Sequence, residues 1–131
     1  MRQTSATPAL FALIIGLFLT ITASAAQTDI VGPAGSGQFG GNVTVLPNGN
    51  IVVVDRIFDL SGPTVTDVGA VHLYNGTTLA LISTLTGSTA NDQVGDGGIT
   101  VLTNGNYVVR SNNWDNPSPL ITDVGAVTWC S

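Results

Sequence analysis

The sequence predicts an all-β chain of antiparallel four-stranded units, one complete and one partial, behind an N-terminal signal helix. Three observations carry that expectation. The phrase "TVLPNGNIVVV", Thr44–Val54, returns as "TVLTNGNYVVR", Thr100–Arg110, so one supersecondary unit is written twice. Asn-Gly pairs stand between apolar runs, which is the strongest short hairpin signal. After the first segment, no window carries a 3.6-residue apolar period.

In chain order, residues 1–26 come first. They hold one early cation, Arg2, an apolar run from Ala9 to Ile21, and the small residues Ala23-Ser24-Ala25-Ala26. That order is a secretory signal peptide. The run is shorter than the ~20 residues that span a bilayer, and Gly16 and Thr20 interrupt it. Cleavage after Ala26 is expected, leaving a secreted or cell-surface protein with no further membrane span.

Residues 27–42 form a lead-in. Within it "TDIVGPAGSGQFG", Thr28–Gly40, aligns with "STLTGSTANDQVG", Ser83–Gly95. The lead-in therefore carries the remnant of a preceding unit's fourth strand. The first repeat, 43–92, predicts strands at 43–46, 51–54, 69–74 and 78–85. Asn48-Gly49 joins the first two and Asn75-Gly76 the last two, with a long loop, Asp55–Val68, in the middle. The second repeat, 93–131, predicts strands at 99–102, 107–110 and 124–129. It stops where a third strand ends, so a fragment of a longer array is expected, or several chains that assemble. Val43–Asn75 and Ile99–Ser131 align without a gap and about half their positions are identical, including "TDVGAV" at Thr66–Val71 and Thr122–Val127. Val71 and Leu73 correspond to Val127 and Trp129, which predicts a face buried in both copies, with His72 on the opposite face.

Beyond the signal segment, two arginines stand against eight aspartates, with no lysine and no glutamate. That balance argues against nucleic acid and anionic membranes, whose phosphates need clustered cations. The single cysteine, Cys130, permits no internal disulfide. Its counterpart is Tyr74, so the repeat does not call for a thiol there.

Four hairpin-joined strands per repeat describe a β-propeller-type blade. "QFGGNVTVLPNGNIVVVD", followed by "DVGAVHLYNG", resembles the FG-GAP repeats of integrin-like propellers. Phe39-Gly40 stands at the FG position and "GAVHLY" at the third strand. The phrases "TVLTNGNYVV", "NWDN" and "TDVGAVTW" are more similar still to repeats of unknown function in bacterial filamentous-haemagglutinin-like surface proteins. The resemblance covers Gln38 to Ser131 and implies a propeller and an adhesive or scaffolding role. FG-GAP blades often hold calcium in a D-x-D-x-D-G loop. Here that loop is "PNGN" and the GAP element is missing, so calcium is not carried over.

No catalytic or cofactor-binding residue is assigned. His72 has neither nucleophile nor acid suggested beside it. It is expected to be a strand-surface histidine whose replacement by alanine costs little. The metal candidates are Asp59, Asp67, Asp115 and Asp123, which pair between the copies in the long loops, where oxygen ligands for calcium gather. Closing turns is the commoner role of loop aspartate. Phe58 and Trp114 also align, as binding-loop aromatics or as packing between blades.

The expected function is a non-catalytic secreted or surface repeat, an adhesin- or haemagglutinin-like scaffold. Its partners would be neighbouring repeats, other copies of the chain, or an extracellular protein or glycan. The alternatives are an accessory propeller of an exported enzyme and a calcium- or carbohydrate-binding propeller.

Overall fold

The structure is a computed structural model that describes residues 25–62 and 64–131; the signal helix expected over residues 1–26 falls outside them but for its last two residues. Among the described residues there is no helix. The first unit is a four-stranded antiparallel sheet in sequential order: β1 (Asn42–Val45), β2 (Ile51–Asp55), β3 (Ala70–Tyr74) and β4 (Leu81–Thr86). The second unit pairs β5 (Gly98–Val101), β6 (Tyr107–Ser111) and β9 (Ala126–Cys130) in that order. A two-stranded hairpin, β7 (Asn116–Pro117) and β8 (Leu120–Ile121), rises from the loop between β6 and β9. The sequence predicts no strands in that loop. The first unit holds the same feature as a bridge between Leu60 and Val65, at the positions equivalent to Asn116 and Ile121.

The β1–β2 turn differs from the two-residue form that Asn-Gly suggests. Leu46 and Asn50 are joined by the Leu46 N–H donating to the Asn50 carbonyl at 2.8 Å, around Pro47-Asn48-Gly49. Only the glycine has positive φ, 85°. Asn48 acts instead through its side chain, accepting the Asn50 N–H at 3.0 Å. A type I turn closed by a left-handed glycine is the usual three-residue solution. Leu102–Asn106 repeats it, with Asn104 accepting the Asn106 N–H at 3.1 Å.

Asn75-Gly76 is not a tight hairpin either. The Asn75 side chain accepts the N–H groups of Thr77 and Thr78 at 2.9 and 2.8 Å, and its carbonyl accepts that of Leu79. The threonines are thereby held in the turn, so β4 starts at Leu81 rather than Thr78. Gly76 is required for close approach, because a Cβ there would overlap the Gly49 carbonyl.

The two units stack face to face. Val52, Val54, Val71 and Leu73 share one face of the first sheet, through the pairs Val52–Leu73 and Val54–Val71. They form one buried cluster with Tyr107 and Val109 of the second sheet, with Val94 of the connecting linker and with Leu46. In repeat register Val109 is the counterpart of Val53, not of Val54. The units therefore pack head to tail, the Val71 face of the first against the His72-type face of the second. This interface is heterologous, and its two sides are different surfaces.

That arrangement overturns the expectation of a face buried in both copies. Val71 is 2% exposed and its counterpart Val127 73%; Leu73 is 5% and Trp129 59%; Val68 is 0% and Val124 48%. The repeat makes these residues counterparts, but among the described residues only the first unit has a neighbour on that side.

Candidate functional site

The long loops carry the paired aspartates. In both copies the carboxylate of the first accepts the backbone N–H of the second, from Asp67 to Asp59 and from Asp123 to Asp115, each at 2.8 Å. Asp67 and Asp123 share a left-handed backbone, φ 53°, which aspartate tolerates better than most residues. The N–H of Gly69 donates to the Phe58 carbonyl, and that of Gly125 to the Trp114 carbonyl. Asp59, Asp67, Asp115 and Asp123 are thus brought together in pairs, as loop closures. Among the described residues no three His, Cys, Asp or Glu side chains converge where a metal ion would sit.

Two aspartates not singled out by the sequence are fully buried and hold the segments that enter each unit. Asp55 accepts the N–H groups of Gly37 and Gln38 at 3.1 and 2.8 Å. Asp92 accepts those of Ser88 and Thr89 at 2.8 Å each, and with its other oxygen that of Asp115 at 3.0 Å. A buried carboxylate is tolerated only with such partners. The repeat concealed both, since Asp55 corresponds to Ser111 and Asp92 to Gly37. Their signal was their lack of a counterpart.

His72 is corrected. It is not on the surface but 1% exposed, walled by the rings of Phe39 and Phe58, each centred 5.7 Å away, and by Tyr74 at 6.3 Å. Its Nδ1 lies 3.0 Å from the Thr84 Oγ1, while Nε2 is buried without a partner. Burial pushes the imidazole below its usual pKa, against a smaller upward pull from Asp55. An imidazole beside a hydroxyl is the start of a nucleophile–base pair. Here, though, no carboxylate bonds the second nitrogen.

Phe58 packs inward on Val68 and Ala70, and Trp114 lies half-buried against the inter-unit core. Cys130 is also half-buried. Burial pushes its thiol up, and its cross-strand neighbour Tyr107 is pushed up to about 12 chiefly by burial. A thiol held protonated in this way is a poor nucleophile.

Two clefts open at the junction between the units. One, of about 500 Å³, is lined by the Asn48, Asn50, Asn104 and Asn106 turns over Leu73 and Ile82. The other, of about 300 Å³ at the opposite end, includes Gln38, Arg56 and Asp96. Arg56 donates to Gln38 at 2.7 Å, and Asp96 accepts the Asn112 N–H at 2.6 Å. Neither cleft includes His72 or Thr84. Val124, Val127 and Trp129 of the second unit leave apolar side chains exposed.

A search of curated proteins and of solved structures finds no match to this chain. A family model described as a repeat of unknown function, DUF5650, matches residues 45–96 and again 101–131. The two matches fall on the two stacked units and together cover more than half of the chain. The chain therefore belongs to the family of DUF5650 repeats and carries two tandem copies.

Proposed function

We propose that this chain is a non-catalytic repeat scaffold of the cell exterior, exported through residues 1–26 and related in role to haemagglutinin-like adhesins. The observation that carries the reading is the use to which the carboxylates are put. Asp55, Asp59, Asp92, Asp96 and Asp115 all accept main-chain N–H groups that shape loops or tie linkers to sheets. Acidic side chains used in this way build modules rather than reaction centres. The sequential four-stranded sheet and its head-to-tail neighbour are what adjacent propeller blades would look like. The phrases shared with FG-GAP and haemagglutinin-like repeats supply the adhesive part, which is an analogy of fold and motif.

The test is fractionation of cells that produce the chain, followed by adhesion of cells displaying it to immobilised matrix proteins and glycans. Recovery in the cytosol, or adhesion no better than that of cells lacking the chain, refutes the proposal. A sugar-binding reading draws on the 500 Å³ cleft, where four asparagines on two turns surround an apolar floor. Selective retention on a glycan array, lost in Asn104→Ala, would favour that reading.

A further inference from the structure

The described chain contains both halves of a second inter-unit interface, on different parts of its surface. The first half is the open side of the second unit. Among the described residues nothing pairs with the free edge of β9, and Val124, Val127 and Trp129 beside it are exposed. In the first unit the matching edge of β3 is filled by β4, in the register Ala70–Thr86, Val71–Leu85, His72–Thr84 and Leu73–Ser83. The matching face is covered by the second unit.

The second half is the lead-in. Thr28–Val31 aligns with Ser83–Thr86, the paired part of β4, yet it lies in no strand, and Val31 is 80% exposed. Behind it a cleft of about 380 Å³ is lined by Ile30, Phe39, Val43, Ile51 and Val53. The repeat makes these residues the counterparts of Leu85, Val94, Ile99, Tyr107 and Val109. All five of those belong to the core that seats Val71 and Leu73 between the units, or flank it. The cleft thus presents the surface that receives Val71 and Leu73 inside the chain, and β9 presents their counterparts, Val127 and Trp129.

We propose that copies of this chain associate head to tail. Thr28–Val31 of one copy adds to the β9 edge of another as its fourth strand, and Val127 and Trp129 enter the cleft behind it. Strand addition supplies the backbone bonds, and side-chain pockets set the register. That register is Thr28 opposite Trp129, Asp29 opposite Thr128, Ile30 opposite Val127 and Val31 opposite Ala126. One position departs from the internal interface. Arg110 stands where Val54 does, and it is exposed at the rim, with its guanidinium donating to the Gly97 carbonyl. Because the two surfaces differ, the contact propagates into a ring if the rotation closes and into a filament if it does not. The proposal goes beyond the scaffold reading and is independent of export or adhesion.

Paired cysteines test it on the full chain carrying Cys130→Ser. Ile30→Cys with Val127→Cys is expected to give a ladder of disulfide-linked oligomers under mild oxidation. Ile30→Cys with Thr128→Cys, on opposite faces, should give roughly tenfold less. Gly125→Ala probes the same contact without cysteine. At the equivalent Gly69, a Cβ would collide with the Val94 amide, whereas at Gly125 the nearest atom is 3.2 Å away. The folded copy should tolerate the methyl while an incoming lead-in does not, so association should weaken about tenfold or more. A wild-type chain that sediments as a monomer up to about 500 μM would overturn the proposal. So would a disulfide ladder equal for both cysteine pairs, or association undiminished by Ile30→Pro.

Discussion

Gly69→Ala and Gly125→Ala form a matched pair in which the linker's contribution to stability can be isolated. Both glycines have φ 72°, so alanine at either site meets the same left-handed backbone penalty, about 1–2 kcal/mol. Part of it, about 0.4–1 kcal/mol, is offset by the reduced entropy of the unfolded chain. At Gly125 the new methyl meets nothing closer than the Asn112 and Ser111 carbonyls at 3.2 and 3.4 Å, and the net loss should stay near 1 kcal/mol. At Gly69 it meets the backbone of Gln93 and Val94, which no rotamer change relieves. The linker must lift, and three bonds go with it: Gln93 N–H to Asp67, Val94 N–H to Val68 and Gly87 N–H to Gly69, at 3.1, 3.0 and 3.3 Å. At about 1 kcal/mol each these bring the expected loss to roughly 3–5 kcal/mol. Urea unfolding followed by tryptophan fluorescence, at protein concentrations low enough to suppress association, measures both losses. Values within about 0.5 kcal/mol of each other would mean that the linker contributes nothing to the fold, and would refute this reasoning.

Other expectations follow from the same contrasts. Val71→Ala should cost about 1–3 kcal/mol and Val127→Ala close to nothing in the dilute chain, since only the first side chain lies in a core; thermal denaturation of the two variants decides it. His72→Ala should cost about 2–3 kcal/mol through the cavity left among Phe39, Phe58 and Tyr74, so equal melting temperatures would count against the burial. Because folding lowers the imidazole pKa from 6.5, the folded state binds this proton less readily than the unfolded chain. Its stability should therefore be complete above pH 6.5 and fall as the pH drops from there through the lower folded value. That decline should be absent in a His72→Gln variant followed over the same range. Asp115→Ala removes the acceptor for the Asp123 N–H and should cost about 1–2 kcal/mol, as should Asp59→Ala at its counterpart; a loss at one site only, read by urea titration, would break the equivalence of the loops.

Local chemistry is what the sequence by itself determined. Alternating valines, asparagine turns and glycines at left-handed positions specify strands and hairpins through interactions a few residues long. The repeat shows which strands form a unit, and β1, β2, β5 and β6 fall within a residue or so of their expected places. Turn closure was legible as the commoner role of the loop aspartates, but that Asp59 accepts the Asp67 N–H across eight residues was not. The tertiary structure alone decided which face of each sheet is covered. A repeat assigns equivalent side chains to equivalent places, whereas burial depends on what stacks against them, and stacking in one direction gives equal residues unequal neighbours. Val71 and Val127 cannot be told apart by sequence, nor can the surface expected of His72 from Thr128. The same asymmetry hid Asp55 and Asp92, whose buried carboxylates anchor linkers over separations of 17 and 23 residues, a distance at which no local pattern reports contact.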